Sequence, residues 1–264
     1  TWFSSALWTF STLGWPEKTD DLAAFHPTSF MSPAYEILQL WVSRMILMST
    51  FHLGQVPFRT VMIHGLVRDS AGRKFSKSLG NGIDPLVLIE KYGTDALRMS
   101  LLVGNPIGSD ISFDETKVKA YKNFANKLWN ISRFTLSNTE EIVVNEAGVP
   151  TEADKQLLEE FAGIMRDITG DFEEYRFHLA SEKLYQYVWH RFADVIIEES
   201  KKILIGEDET AKLSRQQTLL AILQHILIAL HPFMPFITEE IWAHMPKSKD
   251  KNTNLLMIEK WPQV

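Results

Sequence analysis

The chain of 264 residues contains no cysteine. Disulfides and thiolate metal sites are therefore excluded, and the composition suits a reducing compartment, the cytoplasm. Nor is there a run of about 20 apolar residues, the length that spans a bilayer. Residues 219–230 come nearest, and Gln224 and His225 interrupt them, so no membrane partner is expected. An excess of positive charge is missing too: 27 Lys and Arg stand against 33 Asp and Glu, a formal net charge of −6. Nothing global advertises a polyanionic partner, although a net value averages over local patches. Internal repeats, low-complexity tracts and a secretory signal are also lacking. The first residue is Thr, and the text opens abruptly inside an aromatic-rich segment, which reads as a piece of a longer polypeptide.

Residues 63–84, IHGLVRDSAGRKFSKSLGNGID, hold the densest chemistry. The apolar run 60–63 predicts a buried strand that stops at His64-Gly65. The loop that follows carries Gly72, Arg73, Lys74, Ser76, Lys77, Ser78, Gly80, Asn81 and Gly82. Its glycines let the backbone bend and approach a ligand closely. Two lysines flanking hydroxyls supply mobile positive charge and small donors. The combination suits a flexible clamp over a polyphosphate. Taken alone, a Lys/Ser/Gly-rich segment is equally a solvated loop.

Around this loop the periodicity is helical. Residues 1–14 read as loop plus short helix lining a cavity, and 34–51 as one amphipathic helix with Ile37, Leu38, Trp41, Val42, Met45, Ile46 and Phe51 on its apolar face. Asp84 and Pro85 start a helix as N-cap and first residue, Tyr92-Gly93 ends it, and Thr94-Asp95 starts another. From Asp114 onward helices dominate. One face joins Val118, Tyr121, Ala125, Leu128 and Ser132, another Leu157, Phe161, Ile164, Met165, Ile168 and Phe172. Ala180, Leu184, Val188, Phe192 and Ile196 mark a third. Antiparallel helices with short connections make a bundle. Thr238 is expected to cap a short last helix, and the corner HPFMPF before it is expected to be structural. Between Glu115 and Glu140, Lys117, Lys119, Lys122, Lys127 and Arg133 occur with no acidic residue among them. This basic stretch suits RNA backbone contact, or is simply a solvated face.

KFSKS closely resembles the KMSKS signature of class I aminoacyl-tRNA synthetases, with Phe75 where the family usually has Met. The resemblance runs almost end to end: TWFSSAL, LWVSRM, IHGLVRD, GRKFSKSLGN, KYGTDALR, NFANKLWN, HPFMPFITEEIW and LLMIEKWP. IHGLVRD and NFANKLWN are similar to the valine-specific branch in particular. The fold this implies is an α/β Rossmann-type half domain, mostly helical with few parallel strands, followed by an all-α helix bundle. Residues 1–114 would be the second half of the catalytic domain and 115–264 the anticodon-binding domain. The implied reaction joins valine to ATP, accompanied by Mg2+, and passes valine to tRNA(Val). An isoleucine-type enzyme and a stand-alone, non-catalytic tRNA-binding module are the alternatives.

The resemblance also implies roles. Lys77, with Lys74, closes over the leaving pyrophosphate, and Ser76 and Ser78 add donors. His64 and Gly65 hold the adenine. Ala34-Tyr35-Glu36 stands where the family has Gly-x-Asp at the ribose and substrate amine, so Ala34 adds a methyl and Glu36 lengthens the carboxylate. Trp2, Ile37 and Trp41 wall the valine side chain, or else pack in the core at helical spacing. An apolar pocket rejects isosteric threonine only about a hundredfold, so an editing site elsewhere is expected. The family's His-x-Gly-His signature does not occur here; it and the rest of the N-terminal half would belong to the same polypeptide. No metal ligands are expected from this chain. The fragment alone is expected not to adenylate valine.

Overall fold

The computed structural model describes residues 1–139, 149–246 and 255–262, with the side chain of Lys77 outside the described set. It divides into two compact units, Thr1–Gly82 with Asn105–Phe113, and Ile83–Gly104 with Asp114–Val264.

In the first unit, helices α1 (Trp2–Ser11) and α2 (Asp20–Phe25) precede strand β1 (Thr28–Met31). Thr19 caps α2 by accepting from the Leu22 amide at 3.1 Å, and Asp20 and Asp21 meet the positive end of its dipole. A 3-10 turn at Tyr35–Ile37 and a π turn at Leu38–Val42 lead into α3 (Ser43–Leu53), which Gly54 ends at φ 71°. The single helix expected over 34–51 is therefore split. Its start is held extended because the Tyr35 amide donates to the His64 carbonyl at 3.1 Å. Val42 and Met45 are buried as their spacing implies, whereas Phe51 is exposed.

Strand β2 (Phe58–Val61) runs parallel to β1, with Thr28 opposite Phe58 and Met31 opposite Val61. It begins two residues before the strand expected at 60–63. The pairing continues beyond it: the Met62 amide donates to Met31 at 2.8 Å and the His64 amide to Pro33 at 3.0 Å. Val42, Met45 and Phe58 form a small core, with Met31, Trp41 and Val61 packed against it. Buried His26 lies 3.3 Å from the Thr9 carbonyl through Nδ1 and 3.2 Å from the Ser49 hydroxyl through Nε2, stitching α1 to α3. A second parallel pair joins β3 (Val67–Arg68) to β4 (Ile111–Ser112).

The second unit begins with α4 (Pro85–Tyr92) and α5 (Thr94–Leu102), at the expected places. Asp84 accepts from the Leu86 amide at 2.9 Å, Pro85 opens the helix, and Gly93 at φ 90° ends it. Then come α6 (Glu115–Ser137), α7 (Glu152–Glu173), α8 (Phe177–Gln186), α9 (Ile197–Leu204), α10 (Glu209–Leu230) and α11 (Pro235–Ala243). A π-helical stretch, Tyr187–Ile196, makes α8 and α9 one continuous rod. Ala180, Leu184, Val188, Phe192 and Ile196 are all buried along it. Asp114, Thr151 and Asp208 cap α6, α7 and α10. Thr238 does not cap α11. Met234 and Pro235 start that helix, and Thr238 is buried inside it, donating to the Met234 carbonyl at 2.8 Å.

Two side chains of α5 secure the corner before α11. Asp95 accepts from the amides of Phe236 at 3.3 Å and Ile237 at 2.7 Å, capping α11 from another helix. Arg98 donates to the carbonyls of Phe233 at 3.1 Å and Pro232 at 2.8 Å. The corner is structural, as expected. The fold class is also the expected one: few short parallel strands, then a helix bundle. Packing groups 83–104 with the helices that follow, so the structural division cuts across the segment 1–114.

Candidate active site

The glycine-rich loop leaves the parallel ladder at its carboxyl end. There Ala34 is bridged to His64. The exposed imidazole bonds the Gly65 carbonyl through Nδ1 at 2.7 Å. A carbonyl only accepts, so Nδ1 carries a proton. Gly65 is required by close approach. A Cβ placed there would lie 2.0 Å from the Ser109 carbonyl oxygen, far closer than van der Waals contact allows. The neighbour demanding glycine is thus the chain's own backbone.

Asp110, next to Ser109, organises this corner. It accepts from the Leu66 amide at 2.7 Å, from Arg68 Nε, and from the Tyr35 hydroxyl at 3.3 Å. The Leu66 amide, then Arg68, hold its carboxyl below the usual range. Arg68 also donates to the Tyr35 hydroxyl at 3.2 Å, and so fixes the middle of Ala34-Tyr35-Glu36.

Within the loop, Lys74 Nζ lies 2.6 Å from both carboxylate oxygens of Glu36. Two expected site residues, 38 positions apart, therefore meet. Ser76 and Ser78 bond each other through their hydroxyls at 2.7 Å. Lys77 opens a 3-10 turn, Lys77–Leu79, and its side chain lies outside the described residues. Phe75, the residue in the Met position, packs near Phe113 with ring centroids 6.5 Å apart. A hollow of about 410 Å3 is lined by Phe75, Ser76, Gly80 and Gly82. Asp69 and Asn81 tie the loop together, and neither was singled out from the sequence as a site. The signal was present: Asp69-Ser70-Ala71-Gly72 is an Asx-turn pattern.

The residues expected at the valine side chain lie on three elements: Trp2 on α1, Ile37 on the 3-10 turn and Trp41 on the π turn. Trp41 is half-buried, donates through Nε1 to the Ser5 carbonyl at 3.0 Å and lies 6.4 Å from Trp8. Trp2 is exposed under the Arg44 guanidinium, 5.1 Å from the ring centroid. Ile37 is half-buried at the end of the 3-10 turn.

The basic set of α6 is mostly engaged within its own unit. Lys117 Nζ donates to the Val103 carbonyl at 2.5 Å, and burial pushes its pKa down. Lys122 donates to the Lys91 carbonyl at 3.1 Å. Lys127 pairs with Asp194 at 2.8 Å beside the Trp189 ring. Lys119 and Arg133 are exposed, with no ion pair among the described residues.

Residues 1–114 match the family of tRNA synthetases class I (I, L, M and V), and residues 154–264 the anticodon-binding domain of tRNA ligase. The chain belongs to the class I aminoacyl-tRNA synthetases. Within that class it is similar to valine–tRNA ligases. It is 45% identical over 266 residues to the one from Clostridium tetani and 44% identical over 268 residues to the one from Bacillus subtilis. All of this chain is covered in both cases, and it spans 30% of the length of these relatives. Among solved structures it resembles a LeuRS of Agrobacterium radiobacter in ternary complex with tRNA and LeuAMS (TM-score 0.78, 20% identity, 99% of this chain and 32% of that one). It also resembles Mycobacterium tuberculosis methionyl-tRNA synthetase in complex with methionyl-adenylate (TM-score 0.76, 22% identity, 92% and 49%). At these identities the likeness concerns the fold.

Proposed function

We propose that this chain supplies the second half of the catalytic centre and the anticodon-binding part of a valine–tRNA ligase. The full polypeptide, in the cytoplasm, joins valine to ATP, releases pyrophosphate, and passes valine to tRNA(Val). Residues 1–114 do the former with the remaining N-terminal half of the polypeptide, and 115–264 engage the tRNA. Lys74 carries this proposal. Its contact with Glu36 brings the loop's cation to the corner where Ala34 meets His64, at the carboxyl end of parallel strands. Ligands of open α/β folds bind at that edge.

Attack of the valine carboxylate on the α-phosphate breaks the bond to pyrophosphate, and negative charge builds on the leaving oxygens. Lys74 and Lys77 neutralise it there, on a loop able to withdraw for release. Ser76 and Ser78 donate hydrogen bonds beside them. His64, Gly65, Ala34 and Glu36 hold the nucleoside, and Trp2, Ile37 and Trp41 face the valine side chain. Mg2+ arrives with the triphosphate. Among the described residues no cluster of three His, Asp or Glu is arranged to hold a metal ion. Of the basic set, Lys119 and Arg133, which form no ion pair among the described residues, meet RNA phosphate.

The test is valine-dependent ATP–pyrophosphate exchange by the full polypeptide. Lys74→Ala with Lys77→Ala is expected to lower kcat by at least about a hundredfold, the scale for removing donors from developing charge. Unchanged turnover would overturn the proposal. The 264-residue chain alone is expected to give no exchange.

A further inference from the structure

The two ends of the glycine-rich loop are tied by one pair of side chains. Asp69 Oδ1 accepts from the amides of Ala71 at 3.0 Å and Arg73 at 2.8 Å. Asp69 Oδ2 accepts from Asn81 Nδ2 at 2.8 Å and from Arg73 Nε at 2.9 Å. Asn81 Oδ1 in turn accepts from the Ser76 amide at 2.9 Å, while its Nδ2 reaches the Lys74 carbonyl at 3.2 Å. Two side chains 12 positions apart thus fix the backbone on both sides of Phe75. Backbone bonds repeat the closure. The Asp69 amide donates to Arg73 at 2.9 Å and the Gly72 amide to Asp69 at 2.9 Å, with Arg68 bridged to Lys74. The Asn81 amide, then the Arg73 amide, hold the Asp69 carboxyl at a pKa of about 2, so it is ionised throughout the neutral range.

We propose that Asp69 and Asn81 are positioning residues: their pair clasps the signature loop, so that Lys74 and Ser76 are presented from a set backbone while Lys77 and Ser78 follow on the outer turn. This rests on the function proposed above, and the loop then moves as a preformed unit about its flanks. A carboxylate suits the first position because it alone accepts from four donors at once. A primary amide suits the second because it accepts from one strand of the loop and donates to the other.

The test separates the clasp from the chemistry. In the full polypeptide, trypsin cleavage is followed at the Arg73–Lys74, Lys74–Phe75 and Lys77–Ser78 bonds. Asn81→Ala and Asp69→Ala are each expected to raise cleavage there about tenfold, leaving other sites unchanged, as expected when charge-assisted bonds holding a local closed state are lost. Both are expected to lower kcat for exchange about tenfold with KM for valine unchanged. The double swap Asp69→Asn with Asn81→Asp restores a carboxylate–amide bond of reversed polarity and is expected to recover part of both losses. Wild-type cleavage in the single variants, or a swap no better than they are, would overturn the clasp. Faster cleavage with undiminished exchange would overturn the positioning role. If the Lys74→Ala, Lys77→Ala variant also keeps full exchange, the proposed function fails, and a slow-cleaving wild-type loop still marks the clasp.

Discussion

The two units are held together by different means. Proline aside, the buried apolar residues among the described ones are Ala6, Phe10, Val42, Met45 and Phe58 in the first unit and 35 others in the second. The first unit leaves Leu40, Leu47 and Phe51 exposed and fixes its loops with polar clasps around Asp69, Asn81 and Asp110. In the second, the rod from α8 to α9 buries one residue per turn, and a buried ion pair joins Arg215 of α10 to Asp154 of α7, which also accepts from Ser214 at 2.5 Å. Helix packing yields stability from burial, whereas a ligand-binding edge needs backbone groups and charges near solvent.

The largest effect expected from this contrast is in the bundle. Phe192→Ala empties a fully buried site and is expected to cost about 3–5 kcal/mol in denaturant unfolding. In the first unit the strongest response is expected at Gly65. Gly65→Ala forces the Ser109 carbonyl aside and is expected to destabilise by about 1–3 kcal/mol, read as earlier unfolding of that unit by hydrogen exchange.

Acid should separate the units in order. Burial depresses the pKa of His225, and of His231, below 6.5. The unfolded chain therefore takes up their protons first, and the stability from keeping them neutral is lost as pH falls below 6.5. The thermal unfolding midpoint of the bundle is expected to fall as pH is lowered from 7 to 5, and His225→Gln to reduce that slope. Asp69 behaves oppositely in timing. Its pKa is lowered from 3.8 to about 2, so its hold on the loop is complete above 3.8 and disappears as pH drops through about 2. Loop cleavage at pH 5 by an acid-tolerant protease is expected to match that at pH 7. The smallest effect is Phe51→Ser, within about 0.5 kcal/mol, because the ring is already exposed.

How much was legible in the sequence follows the same division. The bundle's buried faces depend on residues three or four apart and the cap at Asp84 on a neighbour two positions on, so local patterns reveal both. β1, β3 and β4 escaped because strands of two to four residues are made by partners far along the chain, as when Val67 meets Ile111. The basic stretch of α6 looked uniform because its partners, Val103, Lys91 and Asp194, lie 14 to 67 positions away. At the candidate site the motif supplied Lys74, Ser76 and His64. It was silent on Asp110, whose role depends on bringing residues 35, 66, 68 and 110 together.

Lys74 arrives at any encounter with an anion already neutralised by Glu36. An incoming anion must therefore displace a tethered carboxylate, an exchange of one counter-charge for another. Dissolved electrolyte weakens the old attraction and the new one together. Binding at this lysine should consequently vary less steeply with ionic strength than binding at a bare surface cation, and removing the tether with Glu36→Gln should steepen it.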